Sequence, residues 1–190
     1  MTRLSRLSVR RVSNDSSEDE ENCRRVSWSG GYRGCHHCSW HRDKWREPYP
    51  EVEANRIAEL VEVAKKNGVN FYWAIHPGVD IKWNDEDRDH LMAKLEIMYN
   101  LGVRSFAVFF DDIWGEGAKG DKQAGLLNYV TDEFVRKHTD VEPRIMCPTQ
   151  YNKAWSGGDY LPTLGTKMYP EVRIMWTGNS VVDMIEKNDM

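Results

Sequence analysis

The residues best placed for chemistry are Asp111 and Asp112, in the stretch FAVFFDDIWGEG that runs from Phe106 to Gly117. A run of apolar and aromatic residues stops there at two adjacent carboxylates. Aspartates often cap a following helix or hold a hard cation through oxygen ligands, and many are simply solvated. The context argues for more. Residues Arg104 to Phe110 have the β-branched and aromatic content of a strand buried on both faces, and the carboxyl end of such a strand is where parallel α/β architectures set their reactive groups. Adjacent carboxylates can also divide acid–base work, since a general acid must keep its proton near neutrality while its partner stays charged. Phe109, Phe110, Ile113 and Trp114 are expected to lower the polarity around the pair. A pair of magnesium ligands in a phosphotransfer enzyme is the open alternative, although Gly-Glu-Gly after the pair is a short signal for the phosphate loop it needs.

A second cluster, CHHCSWH from Cys35 to His41, raises a zinc question, because Cys35 and Cys38 have the two-residue gap of a zinc knuckle and His41 follows closely. Structural zinc sites draw a second ligand pair from a dozen or more residues away. Here the later cysteine, Cys147, falls in an expected strand. Adventitious metal binding is the favoured reading, and no metal or other cofactor is expected. Cys23, Cys35, Cys38 and Cys147 form no regular framework, so a disulfide scaffold is not expected either.

The elements that must position the aspartates begin near Trp45. Residues 48–69 place Ala54, Ile57, Ala58, Leu60, Val61 and Ala64 on one helical face, with Gly68 just past the end. NFYWAIHPG reads as a strand closed by Pro77 and Gly78. NDEDRDHLMAKLEIMYNLG reads as a helix capped by Asn84, with acidic residues in its first turn and Gly102 at its end. After the aspartate strand come a helix over about 121–138, a strand PRIMCPTQY, an irregular loop NKAWSGGDYLPTLG and a strand EVRIMWTG. Such alternation with short connections predicts right-handed βαβ units and a parallel sheet. Each strand ends in a polar or glycine-bearing segment, so several ends offer site-building loops on one face.

Composition sets the limits. A chain of 190 residues with 40% hydrophobic content can form one domain with a real core. A formal net charge of −4 argues against a nucleic-acid partner, which would need excess basic charge. No run of about 18 apolar residues exists to span a bilayer, and no signal-peptide core follows Met1, so no membrane association is expected and the compartment stays open. Residues 1–44 are rich in Arg and Ser, carry the acidic run SSEDEEN and show almost no periodic apolar pattern. They read as disordered or foreign to the fold, leaving 45–190 as the folded part.

From Trp45 onward the motifs WAIHPG, DIKW, GVRSFAVFFDDI, MCPTQYNKAW, YLPTLG and IMWTG occur in an order and spacing that resembles the catalytic barrel of family 84 glycoside hydrolases. That group includes the O-GlcNAcases and the hyaluronidase-type bacterial enzymes. The resemblance implies a (β/α)8 TIM barrel and a β-N-acetylglucosaminidase that works by substrate-assisted, retaining catalysis. Asp111 would accept a hydrogen bond from the sugar's acetamido N–H and aim its carbonyl oxygen at the anomeric carbon. Asp112 would protonate the leaving oxygen, then deprotonate the water that opens the oxazoline intermediate. The nucleophile belongs to the substrate, so carboxylate separation does not report the stereochemistry.

The same resemblance places Tyr151 against the oxazoline or acetamido group and Cys147 and Thr177 in the acetamido pocket, with Trp176 available as a wall. Without it, Tyr151 reads as a strand-end residue packed on the rim, Cys147 and Thr177 as core, and Trp176 as a core aromatic. Gln150 stands where many members carry Glu. A full barrel needs eight strands in about 250 residues, and about four are legible here, so an incomplete barrel is expected. Two open edges, at NFYWAI and VRIMW, are expected to promote self-association. The implied partner is a glycoprotein or glycan bearing GlcNAc, with weak or absent turnover from this chain alone. The alternative is a non-catalytic carbohydrate-binding or interaction fragment.

Overall fold

The structure, a computed structural model, describes residues 42–77 and 80–182. The disorder expected for residues 1–41 and the zinc question at Cys35, Cys38 and His41 fall outside the described residues.

Helix α1 (Glu51–Lys66) carries Glu51 and Glu53 in its first turn and Lys65 and Lys66 in its last, as its dipole favours. It stops at Gly68, whose φ of +64° lets the Val69 N–H reach back to the Ala64 carbonyl at 2.9 Å. Its buried face is narrower than expected. Val61 is buried, whereas Leu60, a hundred degrees round the helix, is 54% exposed. Before the helix, Trp45 is fully buried and donates its indole N–H to Asp80 at 3.0 Å. Arg46 pairs with Asp87 at 2.6 Å and with Asp80 at 2.5 Å, so this segment is stapled to the loop that follows the first strand and to the first turn of the next helix.

Strand β1 (Tyr72–Ile75) leads through that loop to α2 (Asp85–Asn100), where the Asn84 side chain accepts the Asp87 N–H as a helix cap. Strand β2 (Ser105–Phe109) and helix α3 (Gly120–Glu133) follow, then β3 (Ile145–Cys147). The segment expected to be an irregular loop holds a 3-10 turn, Lys153–Trp155, and a short helix α4 (Tyr160–Lys167). Its Pro162 lies in the first turn, where no intrahelical N–H is needed. Strand β4 (Arg173–Ile174) closes the order.

The sheet runs β1-β2-β3-β4 with every neighbouring pair parallel, as βαβ units require. It is the sheet of an incomplete TIM-type barrel. Ser105, Phe106, Ala107 and Val108 of β2 are all buried, as the unbroken apolar run predicts. Phe106 meets Phe134 edge to face at 5.1 Å and Trp73 at 6.2 Å, which locks α3 and β1 onto the central strand. No helix among the described residues is long and apolar enough to cross a membrane.

Candidate active site

All four strands point the same way, so their carboxyl ends converge on one face, and the expected site residues hang from three of those ends. Asp111 and Asp112 follow β2 directly. Cys147 is the last residue of β3, with Tyr151 in the loop beyond it. Trp176 and Thr177 follow β4.

The backbone of the aspartate turn is held from both neighbouring strands. On the β3 side, the Phe110 N–H donates to the Cys147 carbonyl at 2.9 Å, and the Phe110 carbonyl accepts the Thr149 hydroxyl at 2.8 Å. On the β1 side, buried His76 uses Nε2 to donate to the Asp111 carbonyl at 2.7 Å. Burial holds the His76 pKa below its ordinary value, with the Asp111 hydrogen bond opposing. Held this way, Asp112 takes φ +53°, the left-handed region that non-glycine residues rarely occupy.

The two carboxylates then differ. The Asp111 side chain is 32% exposed, yet its Oδ1 is buried with no hydrogen-bond partner, and His76 Nε2 stands 3.8 Å away. Asp112 is exposed. One carboxylate therefore offers an inward acceptor and the other faces the open side of the sheet end. The expected apolar surround is partial: Phe110 and Ile113 are buried, while Trp114 is 71% exposed and walls off nothing.

The aspartates reach the β3 residues electrostatically. The Cys147 thiol is pushed up to about 12, first by burial and then by the charges of Asp111 and Asp112. Tyr151 is raised above its ordinary value, by burial and then by Asp112 and Asp111. Its ring packs edge on against Trp155, with centroids 5.0 Å apart. The Tyr151 carbonyl accepts the Thr177 N–H at 3.0 Å, so the β3 and β4 loops are joined through main chain. The Thr177 hydroxyl is committed to the Ser180 carbonyl at 2.8 Å. Trp176 is 44% exposed, not the core aromatic that such a run usually supplies. Gln150 accepts the Gly157 N–H at 3.0 Å and braces the loop beyond Tyr151.

Sequence reasoning missed buried His76, Gln123 and Tyr160 and half-buried Thr149, the polar groups beneath this surface. His76 had a signal, because His-Pro-Gly ends β1 on the face where β2 delivers its aspartates. A cavity of about 140 Å³ lies between the segment around Trp83 and α3, and neither aspartate lines it. The candidate site is an open shelf. Among the described residues, no group of three or more His, Cys, Asp or Glu is placed to hold a metal ion.

Comparison with known proteins shows the family. A β-N-acetylglucosaminidase (NAGidase) family model matches residues 37–190. Protein O-GlcNAcase from Rattus norvegicus is 34% identical over 153 residues, covering 75% of this chain and 17% of that protein. The Mus musculus protein gives the same figures. The solved structure of CpGH84B superposes with a TM-score of 0.71 at 37% identity, over 76% of this chain and 27% of that one. A mutant O-GlcNAc hydrolase from Thermobaculum terrenum superposes at 0.73 with 30% identity, over 82% and 36%. The chain thus spans about a sixth of the curated relatives' length and between a quarter and two fifths of these solved chains. A parallel βαβ sheet that sets an aspartate pair at the end of β2, matched by a family model along most of its length, makes this chain a member of the β-N-acetylglucosaminidase family, the family 84 glycoside hydrolases.

Proposed function

We propose that this chain carries the acid–base centre of a retaining β-N-acetylglucosaminidase, with a GlcNAc-bearing glycoprotein or glycan as substrate. The observation that carries the reading is the asymmetry of the pair: a buried Asp111 oxygen with no hydrogen-bond partner beside an exposed Asp112. The buried oxygen keeps the carboxylate turned in beside His76, while the Asp111 side chain, 32% exposed, still presents carboxylate surface to an acetamido N–H. Asp111 then orients the acetamido carbonyl toward the anomeric carbon, and the C–O bond to the leaving group breaks as the oxazoline ring closes. Asp112, on the open side, delivers its proton to the leaving oxygen and later takes one from the incoming water. Tyr151, kept protonated by burial and by both carboxylates, has a hydroxyl to donate to the acetamido oxygen. Buried Cys147 and the Thr177 backbone shape the shelf, and exposed Trp176 borders it.

Turnover from this chain alone is expected to be weak, because positioning accounts for several kcal/mol of such a barrier and the described residues form four strands of the sheet. The second reading, a non-catalytic carbohydrate-binding fragment, is favoured by the exposure of Trp155 and Trp176 at 49% and 44%. The test pairs a chromogenic β-N-acetylglucosaminide with the glucoside lacking the acetamido group. Cleavage of the first alone, reduced about 10²- to 10⁴-fold by Asp112→Asn, is the expected result. Sugar binding that survives Asp112→Asn, without cleavage of either compound, would favour the second reading.

A further inference from the structure

The polar groups behind the aspartate turn, buried Gln123 and Tyr160 and half-buried Thr149, form a closed circuit. Gln123, fully buried on α3, donates from Nε2 to the Gly117 carbonyl at 2.7 Å and to the Thr149 hydroxyl oxygen at 2.8 Å. Its Oε1 accepts the Tyr160 hydroxyl at 2.5 Å. Tyr160 Oη in turn accepts the Thr149 N–H at 2.8 Å. The Thr149 hydroxyl proton goes to the Phe110 carbonyl at 2.8 Å. Each hydroxyl donates once and accepts once, and both amide protons of Gln123 are used. Gly117 and Phe110 offer only carbonyl oxygens, which fixes the direction of every bond and requires an amide at position 123.

The circuit has a mechanical consequence. Phe110 and Gly117 bracket the segment that contains Asp111 and Asp112, and Thr149 stands two residues before Tyr151. Strained backbone such as that of Asp112 persists only where the surroundings over-determine it. The aspartate segment is pinned at one end through Thr149 and at the other through Gln123, and both pins meet at one amide.

We propose that Gln123, with Thr149 and Tyr160, is a positioning device that holds Asp112 in its left-handed conformation and fixes the aspartate pair relative to Tyr151. Gln123 itself contacts no substrate in this arrangement. The proposal rests on the glycosidase reading for its consequence in turnover and on geometry alone for its consequence in structure.

Position 149 gives the cleanest test. Thr149→Val removes the hydroxyl at nearly constant volume, and Thr149→Ser restores it. In the isotope-labelled chain, Thr149→Val frees the Phe110 carbonyl, so it should move the backbone resonances of Asp112 and Ile113 and loosen the turn enough to raise exchange at the Phe110 amide, itself held by the Cys147 carbonyl, about tenfold. Amides of α2 should stay unchanged, and Thr149→Ser should keep the wild-type pattern. Gln123→Leu should reproduce Thr149→Val and add faster exchange at the Thr149 amide. With the chromogenic substrate, kcat should fall about 10- to 100-fold with KM little changed. Unmoved Asp112 resonances in Thr149→Val would overturn the proposal. So would loss of the whole fold in that variant, which would assign these residues to stability alone. Shifted Asp112 resonances in a chain with no measurable turnover would sustain the clamp while counting against glycosidase activity in this chain.

Discussion

Lys94 is 1% exposed, donating to the Glu47 carbonyl with its nitrogen 4.1 Å from the ring centre of Tyr49. Burial lowers its pKa to about 8. Between there and the free lysine value near ~10.4, the unfolded chain binds more protons than the folded one, so this residue makes stability rise with pH. Its cost is fully present below about 8 and is relieved as the pH climbs. Relative to Lys94→Met, the wild-type chain should therefore gain about 1 to 3 kcal/mol between pH 7 and 10. Denaturant midpoints of the two proteins at matched pH values would show this, and a constant offset would show that Lys94 does not titrate in that range. Cys147 is governed by the same physics with the opposite charge. A thiol held near about 12 supplies almost no thiolate at pH 8, so iodoacetamide should label Cys147 only on unfolding, as peptide mass mapping would report. At this scale Asp111 and Asp112 were legible because an apolar run ends on them. Gln123 was not: it interrupts an apolar stripe without marking it, and its partners Thr149 and Tyr160 lie 26 and 37 residues away.

The helix-and-strand alternation was legible for the same reason that it forms, since apolar spacing near 3.6 and unbroken β-branched runs select different backbones. Helix α4 was the exception. Gly157, Gly158, Pro162 and Gly165 disguise it, yet buried Tyr160 and Leu164, one turn apart, lay its face onto α3. The two helices touch through Gly120. A Cβ there would sit 2.8 Å from the Tyr160 carbonyl oxygen and 3.4 Å from Thr163 Cβ. Backbone cannot turn aside as a side chain can, so Gly120→Ala must push α4 away and should cost about 1 to 3 kcal/mol. Gly125, five residues on in the same helix, has nothing within 4 Å of its Cβ position. There alanine should add about 0.5 to 1 kcal/mol through helix propensity. Opposite signs in thermal or urea unfolding are the expected result, and two changes of the same sign would mean that propensity and not the α3–α4 contact decides.

For the whole molecule, the sheet has two ends among the described residues. Strands β1 and β4 each pair on one side only. The sequence made the strands visible, but it could not show which edge stays open, because pairing is decided by partners far along the chain. At β4 the geometry is explicit. The Arg173 and Met175 N–H groups donate to the Arg144 and Met146 carbonyls of the β3 side at 2.9 and 2.8 Å. Donors alternate along a strand, so the intervening Ile174 N–H points out of the sheet edge. Ile174 is 40% exposed and Trp176 close by is 44% exposed, leaving an apolar edge with a free row of backbone groups, the combination that invites another strand. The chain should therefore associate as its concentration rises. Ile174→Pro removes the outward donor without touching the β3 ladder, so it should lower the association measured by sedimentation while leaving the unfolding midpoint of dilute protein nearly unchanged. Association that persists in Ile174→Pro would move the contact to the β1 edge or to the exposed face of α1, where Leu60 and Val63 are each 54% exposed.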